Sequence, residues 1–321
     1  MRALHWFAVF VAACTALLIA AGGMVTSTGS GLAVPDWPNT YGHFMFSFPL
    51  DRMVGGILYE HGHRMIASIV GMLTIVLAAW TWRVDPRTRV RRLALIALAV
   101  VVLQGLLGGL TVRFLLPAPI SIGHAGLAQL FFCLTVSLAL FTSSDWRHPR
   151  VPLSSDRGLA GLTLGTTVLI YIQILLGATM RHRHAGLAIP DFPLAFGRVI
   201  PPFWSVDVAV HFSHRAGALL VAAAAVAIWA HVWRRHRRDP RLVRPATVLL
   251  ALVALQGTLG AFVVLSGLQP IVNTAHVVNG ALVLAASLVL TLRSRRVAIS
   301  AWLDRSTSRP SMQPAPIEAR S

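Results

Sequence analysis

Four histidines hold the chemistry this sequence offers. His63, His124, His214 and His276 each lie in a long apolar stretch, where an ionisable side chain is costly and usually faces the protein interior with a partner. His214 follows His63 by 151 residues, and His276 follows His124 by 152. A lone buried histidine is most often a packing residue bonded to a neighbouring carbonyl, but four at matched registers ask for a shared task. Two neutral imidazoles facing each other from different helices are the axial ligands of a bis-histidine heme. Zinc would want three or four ligands with Cys or carboxylate nearby, and copper would favour Met or Cys; neither set accompanies these residues. Pairing within each half joins His63 with His124 and His214 with His276.

Glu60 and two arginines stand beside these ligands. Glu60 precedes His63 by three residues in Glu60-His61-Gly62-His63-Arg64, a spacing that puts both side chains on one helix face. It is expected to act on whatever His63 holds, by proton transfer or by stabilising positive charge. The alternative is an interfacial acid favoured by a helix start. The matching stretch, His211-Phe212-Ser213-His214-Arg215, has histidine in place of the acid. The first half is therefore expected to do chemistry and the second to hold a permanent cofactor. Arg64 and Arg215 either pair with heme propionates or snorkel at the interface. Gln104 and Gln256 read as helix-packing groups, and Asp36 and Asp191 as turn-bonding residues.

The elements that position these groups span a membrane. Of 321 residues, 55% are apolar and only 12% charged, against roughly 25% charged in soluble domains. The apolar residues fall in eight blocks of about bilayer length, at 5–26, 61–82, 93–113, 120–141, 159–180, 210–233, 246–266 and 272–292. The first is too long for a signal peptide and a later block mirrors it, so it counts as a span. All 28 basic residues are arginine. They cluster at 83–92, 142–158, 234–245 and beyond 292, which puts both termini and those loops in the cytoplasm and the long connections 27–60 and 181–209 outside. This distribution accounts for the net charge of +17 without nucleic acid. Cys14 and Cys133 lie inside apolar blocks, where neither a disulfide framework nor a CxxC metal site fits.

The chain repeats itself. GLAVPDWPNTYG from Gly31 matches GLAIPDFPLAFG from Gly186, and LQGLLGG from Leu103 matches LQGTLGA from Leu255. Four spans separate corresponding segments, so the halves share one orientation, as in parallel repeats. The expected fold is an all-α polytopic membrane protein of two parallel-repeat four-helix bundles. Residues 1–150 form the first bundle, expected to do the chemistry, 151–303 the second, expected to hold the permanent cofactor, and 304–321 a disordered cytoplasmic tail. The Pro-Asp-[Trp/Phe]-Pro segments are expected to cover the cofactor pockets.

With eight spans, Glu60-x-x-His63-Arg64, His124, His214, His276 and the G-L-x-x-P-D-[WF]-P segments, the chain resembles the heme A synthase family of cytochrome c oxidase assembly over residues 5–293. The resemblance implies oxidation of a ring methyl of heme O to a formyl group, giving heme A. It associates Glu60, His63 and His124 with the substrate heme O, and His214 and His276 with a bound heme b. A heme O synthase is the implied partner, and the electron donor stays open. Some bacterial members carry a cysteine pair in the first external loop; 27–60 has none, so no thiol role carries over. The arginine-rich, lysine-free composition suggests a bacterial cell membrane in preference to a mitochondrial one. Two rivals remain: a di-heme b cytochrome that oxidises quinol, and a parallel-repeat transporter.

Overall fold

A computed structural model describes residues 1–148 and 156–304, and every regular element among them is helical. Eight helices are long and apolar enough to cross a membrane: α1 (Arg2–Ser27), α2 (Gly55–Val84), α3 (Thr88–Arg113), α4 (Ala118–Thr142), α6 (Arg157–His182), α7 (Val206–His236), α8 (Pro240–Leu265) and α9 (Pro270–Ser294). Helix is the natural answer for such segments, because lipid offers no partner to an open backbone group. Two short helices complete the set, α5 (Ser144–Arg147) and α10 (Arg296–Asp304). The chain is a multi-pass membrane protein.

All eight anticipated spans are present, each running a few residues past its apolar block. The helices α2 and α8 each start six residues before their blocks, so α2 takes in Tyr59 and Glu60. Proline in the first turn of α4, α8 and α9 sits where its missing N–H costs nothing. Asp156, Ser205 and Asp239 cap α6, α7 and α8 with their side chains. The α10 helix was not anticipated. Its Arg296 is buried, stacks 5.2 Å from the Trp146 ring and donates to the Trp146 carbonyl at 3.0 Å. Residues 305–321, nearly all of the expected tail, lie outside the described residues.

In the first half α1 and α3 each pack on both α2 and α4, and in the second α6 and α8 each pack on both α7 and α9. Leu4, Val11, Val70, Leu77 and Leu138 fill the first interior; Leu159, Ile228, Leu249 and Leu284 fill the second. Helices α1, α4, α6 and α9 join the halves, with Ile19, Phe132 and Ala281 at the seam. Hydroxyl pairs tie α6 to α9: Thr167 to Ser287 at 2.7 Å and to Thr291 at 2.8 Å, and Thr163 to Ser294 at 2.9 Å. Such contacts hold helices together where apolar burial gives no driving force. Large apolar side chains such as Phe10, Leu17, Ile75 and Leu219 stay exposed on the outside, as a lipid-facing surface requires.

Candidate functional site

The four histidines lie near one end of the bundle, on α2, α4, α7 and α9. Each packs edge-on against a glycine of the helix before it. A β-carbon on Gly22 would stand 3.0 Å from His63 Cε1, on Gly108 3.2 Å from His124, on Gly177 2.9 Å from His214 and on Gly260 3.2 Å from His276. The imidazoles therefore occupy space that no larger residue leaves open.

Three of the four are also gripped by a glutamine one turn before that glycine. The Gln104 amide nitrogen donates to the His124 carbonyl at 2.9 Å and lies 3.3 Å from its Nε2. Gln256 makes the same pair of contacts to His276 at 3.1 and 3.2 Å, and Asn279 in turn donates to Gln256 at 2.7 Å. Gln173 reaches the His214 carbonyl at 2.6 Å and its Nδ1 at 3.0 Å. The bond to each carbonyl fixes where the histidine backbone stands, and the amide edge fills the space beside the ring and so orients it. Gln104 and Gln256 thus do more than pack helices. Gln173 escaped the sequence reading, although the shared Gln-x-x-x-Gly spacing at 104–108, 173–177 and 256–260 could have found it. At His63 the glutamine is replaced by Leu18.

The Nδ1 atoms of His63, His124 and His276 are buried without a regular hydrogen bond. The His214 and His276 rings stand 6.5 Å apart, centroid to centroid, at 66°. Two imidazoles with metal–nitrogen bonds of about 2 Å on opposite sides of one ion put their centroids roughly 6 Å apart. The second-half donor set therefore fits a bis-histidine iron porphyrin.

Glu60 sits away from open space. It is 3% exposed; its Oε2 accepts from the Val34 amide at 2.7 Å and its Oε1 from Arg64 at 2.6 Å. Arg64 also donates to the carbonyls of Val34 (2.8 Å), Asp36 (2.7 Å) and Asn39 (3.1 Å). Arg215 repeats this grip on Ile189 (3.0 Å), Asp191 (2.8 Å) and Leu194 (2.8 Å), and on His211 Nε2 at 3.0 Å. Both guanidinium groups bond carbonyls of the loops. The reason is the turn that Asp36 and Asp191 build, which leaves its carbonyls facing the helix.

That turn is the same in both loops. Asp36 accepts from the Tyr41 and Gly42 amides, and Asp191 from Phe196 and Gly197. Bridges Thr40–His43 and Ala195–Arg198 close the two turns, and both X–Pro bonds within, Trp37–Pro38 and Phe192–Pro193, are cis. Burial alone would raise the Asp36 carboxyl, but the Gly42 and Tyr41 amides and the Arg64 charge outweigh it and hold it below its ordinary value. The Gly197 and Phe196 amides hold Asp191 low as well. His61, buried beneath the first loop, bonds Thr40 through Nδ1 at 2.8 Å and packs on Phe48. The Trp37 indole lies directly against Gly109, next to the glycine that receives His124. The first loop thus reaches the edge of that pocket.

At the opposite end, Asp156 Oδ2 bonds His231 Nε2 at 2.7 Å and His236 Nε2 at 2.9 Å, while its Oδ1 caps α6. Among the described residues this is the one group of three His, Cys or acidic side chains close enough to share a metal ion. Its polar atoms already satisfy one another, so it reads as a staple between α6 and α7.

The family of cytochrome oxidase assembly proteins matches the chain over residues 5–288. A heme A synthase of Geobacillus kaustophilus is 30% identical over 307 residues, covering 94% of this chain and 95% of its own. One from Symbiobacterium thermophilum is 33% identical over 86% of this chain and 90% of its own, and one from Shouchella clausii 32% identical over 78% and 83%.

Proposed function

Because the chain belongs to the heme A synthase family of cytochrome oxidase assembly proteins, we propose that it oxidises a ring methyl of heme O to a formyl group, producing heme A. The observation that carries this reading is the pair of matched histidine sites, of which the first alone has a carboxylate one turn from a ligand candidate. In this reading residues 1–150 receive the substrate heme between His63 and His124, and residues 151–303 hold heme b between His214 and His276 as axial ligands. A bound heme supplies redox-active iron; the chain supplies placement, dryness and proton handling.

Three of the four imidazoles have a supporting glutamine and His63 has none, which suits a site that must admit and release its ligand. Glu60 is the proposed catalytic residue. Its Oε2 is engaged by a loop amide, so movement of the first loop would free that oxygen to take a proton from the reacting centre, while Arg64 holds Oε1. Trp37 closes the pocket edge against water. Arg64 and Arg215 shape the two pockets by fastening the loops over them. The partners are a heme O synthase, which makes a substrate too apolar to cross water, and an electron donor outside the chain. The arginine-rich loops 83–92, 142–158 and 234–245 and the arginine-rich tail support a reading with both termini on the cytoplasmic side of a bacterial cell membrane.

The test is chromatography of hemes extracted from the protein co-expressed with a heme O synthase. Heme A and residual heme O support the proposal. Two tightly held b hemes with quinol oxidation, and no heme A, would instead make the chain a di-heme electron-transfer cytochrome. The matching placement of Glu60 and His211, each beside its loop and bonded by the arginine four residues on, is the observation that favours that second reading.

A further inference from the structure

Arg181 is a half-buried arginine at the end of α6, one residue before its last, His182. Its terminal nitrogen donates to the Gly23 carbonyl at 3.1 Å and to Ser27 Oγ at 2.6 Å, both on α1. No carboxylate among the described residues comes within ion-pair distance of it. A snorkelling arginine sends its head outward to water; this one turns sideways into the seam between the halves. A guanidinium drawn from water and given only neutral acceptors is poorly compensated, and an ionisable group at membrane depth normally has a charged partner.

The position tells which partner. Arg181 stands one turn beyond Gly177, the residue against which His214 packs. Four residues of helix put it about 6 Å further along α6. Ser27, to which it donates, also bonds Thr274 at 3.0 Å, and Thr274 lies two residues before His276 on α9. The guanidinium is thus tied to α1 directly and, through Ser27 and Thr274, to α9, which carries His276, while its own helix packs Gly177 against His214. The repeat offers no counterpart, because the first half has Thr26 at the matching register.

We infer that Arg181 anchors a carboxylate of the porphyrin held between His214 and His276, one of the propionates that Arg215 is turned away from. This rests on the bis-histidine reading of that pair. A planar fork of donors binds a carboxylate through two parallel bonds, and no other cation on the page lies as close to the second-half clamp with donors to spare. The resident heme would then be held at three points: two imidazoles at the iron and one guanidinium at the rim.

The test compares ferric heme b with its dimethyl ester, titrated into protein purified from heme-depleted cells. Wild type should bind the free acid about tenfold to a hundredfold more tightly than the ester. In Arg181→Gln the two should bind alike, at the ester's level, and Arg181→Lys should fall between. A purely structural role, closing the end of α1, would weaken both ligands equally and leave the ratio unchanged; that result, or no preference in wild type, overturns the inference. His276→Ala separates the underlying reading. If it binds heme with the low-spin spectrum of wild type, the bis-histidine clamp is wrong whatever Arg181 does.

Discussion

His211 in the second half takes up the post that Glu60 holds in the first, each receiving a bond from the arginine four residues on. The two are not equivalent acceptors. A carboxylate takes Arg64 on one oxygen and the Val34 amide on the other. An imidazole that accepts Arg215 on Nε2 keeps its proton on Nδ1, so the Ile189 amide, 3.3 Å away, gains little. Charge differs as well: the first loop is fastened by an ion pair, the second by a cation and a neutral ring.

This relationship separates structure from chemistry at Glu60. Glu60→Ala leaves Arg64 buried without its partner, a change that typically costs about 3–5 kcal/mol, and its loss of product would be hard to interpret. Glu60→His copies the second half and restores the arginine contact. It is expected to fold, keep heme b and accumulate heme O or a hydroxylated intermediate, measured by chromatography of extracted hemes. Normal heme A output from Glu60→His would remove Glu60 from the reaction.

The glycine contacts predict a steric effect on the spectrum. Gly177→Ala puts a methyl 2.9 Å from His214 Cε1, closer than real β-carbons sit, so the imidazole must shift. The low-spin heme signal should weaken, more so than for Gly260→Ala, where the gap is 3.2 Å. Absorption and electron paramagnetic resonance of purified protein read this out. An unchanged spectrum in both would show that these rings do not bind iron.

Loss of a glutamine should loosen heme without emptying the helix core. Gln173→Leu and Gln256→Leu are each expected to lower heme b affinity by about 10- to 100-fold, the range for supporting residues of metal ligands. Leu18→Gln does the reverse in the first half: it supplies His63 with the missing support and should slow turnover while tightening substrate binding. Faster turnover would contradict the idea that His63 is kept loosely held for exchange.

Acid sensitivity is expected at the Asp156 staple. Hydrogen bonds from His231 and then His236 hold its carboxyl well below the usual range. A group depressed in the folded state contributes stability above its unfolded value of about 3.9, and the contribution is lost as pH falls through the folded value. Thermal midpoints in detergent should therefore drop more steeply below about pH 4 for wild type than for Asp156→Asn, which keeps the α6 cap. Parallel curves would show that the staple contributes nothing to acid stability.

Much of this was legible from residue types alone. Eight apolar blocks separated by arginines dictate eight helices, and matched registers at His63/His214 and His124/His276 mark the ligand candidates without any contact being known. The loop partners of Arg64 could not be read, since they are carbonyls 25 to 30 residues upstream and a carbonyl leaves no trace in a residue pattern. Gln173 was hidden because its neighbours differ from those of Gln104 and Gln256, and the common four-residue spacing to glycine shows only once the rings are seen against that glycine. Arg181 looked like one more basic residue at a helix end; only its sideways reach to Gly23 sets it apart.

The two arginine-held turns also leave their side chains unconstrained. Each guanidinium grips main-chain oxygens, so Val34 and Ile189, or Asn39 and Leu194, can differ while the grip is preserved. A latch blind to side chains lets the covering segment change its face to suit one guest or another. After duplication, one scaffold could thus diverge into a workplace and a berth without loosening either roof.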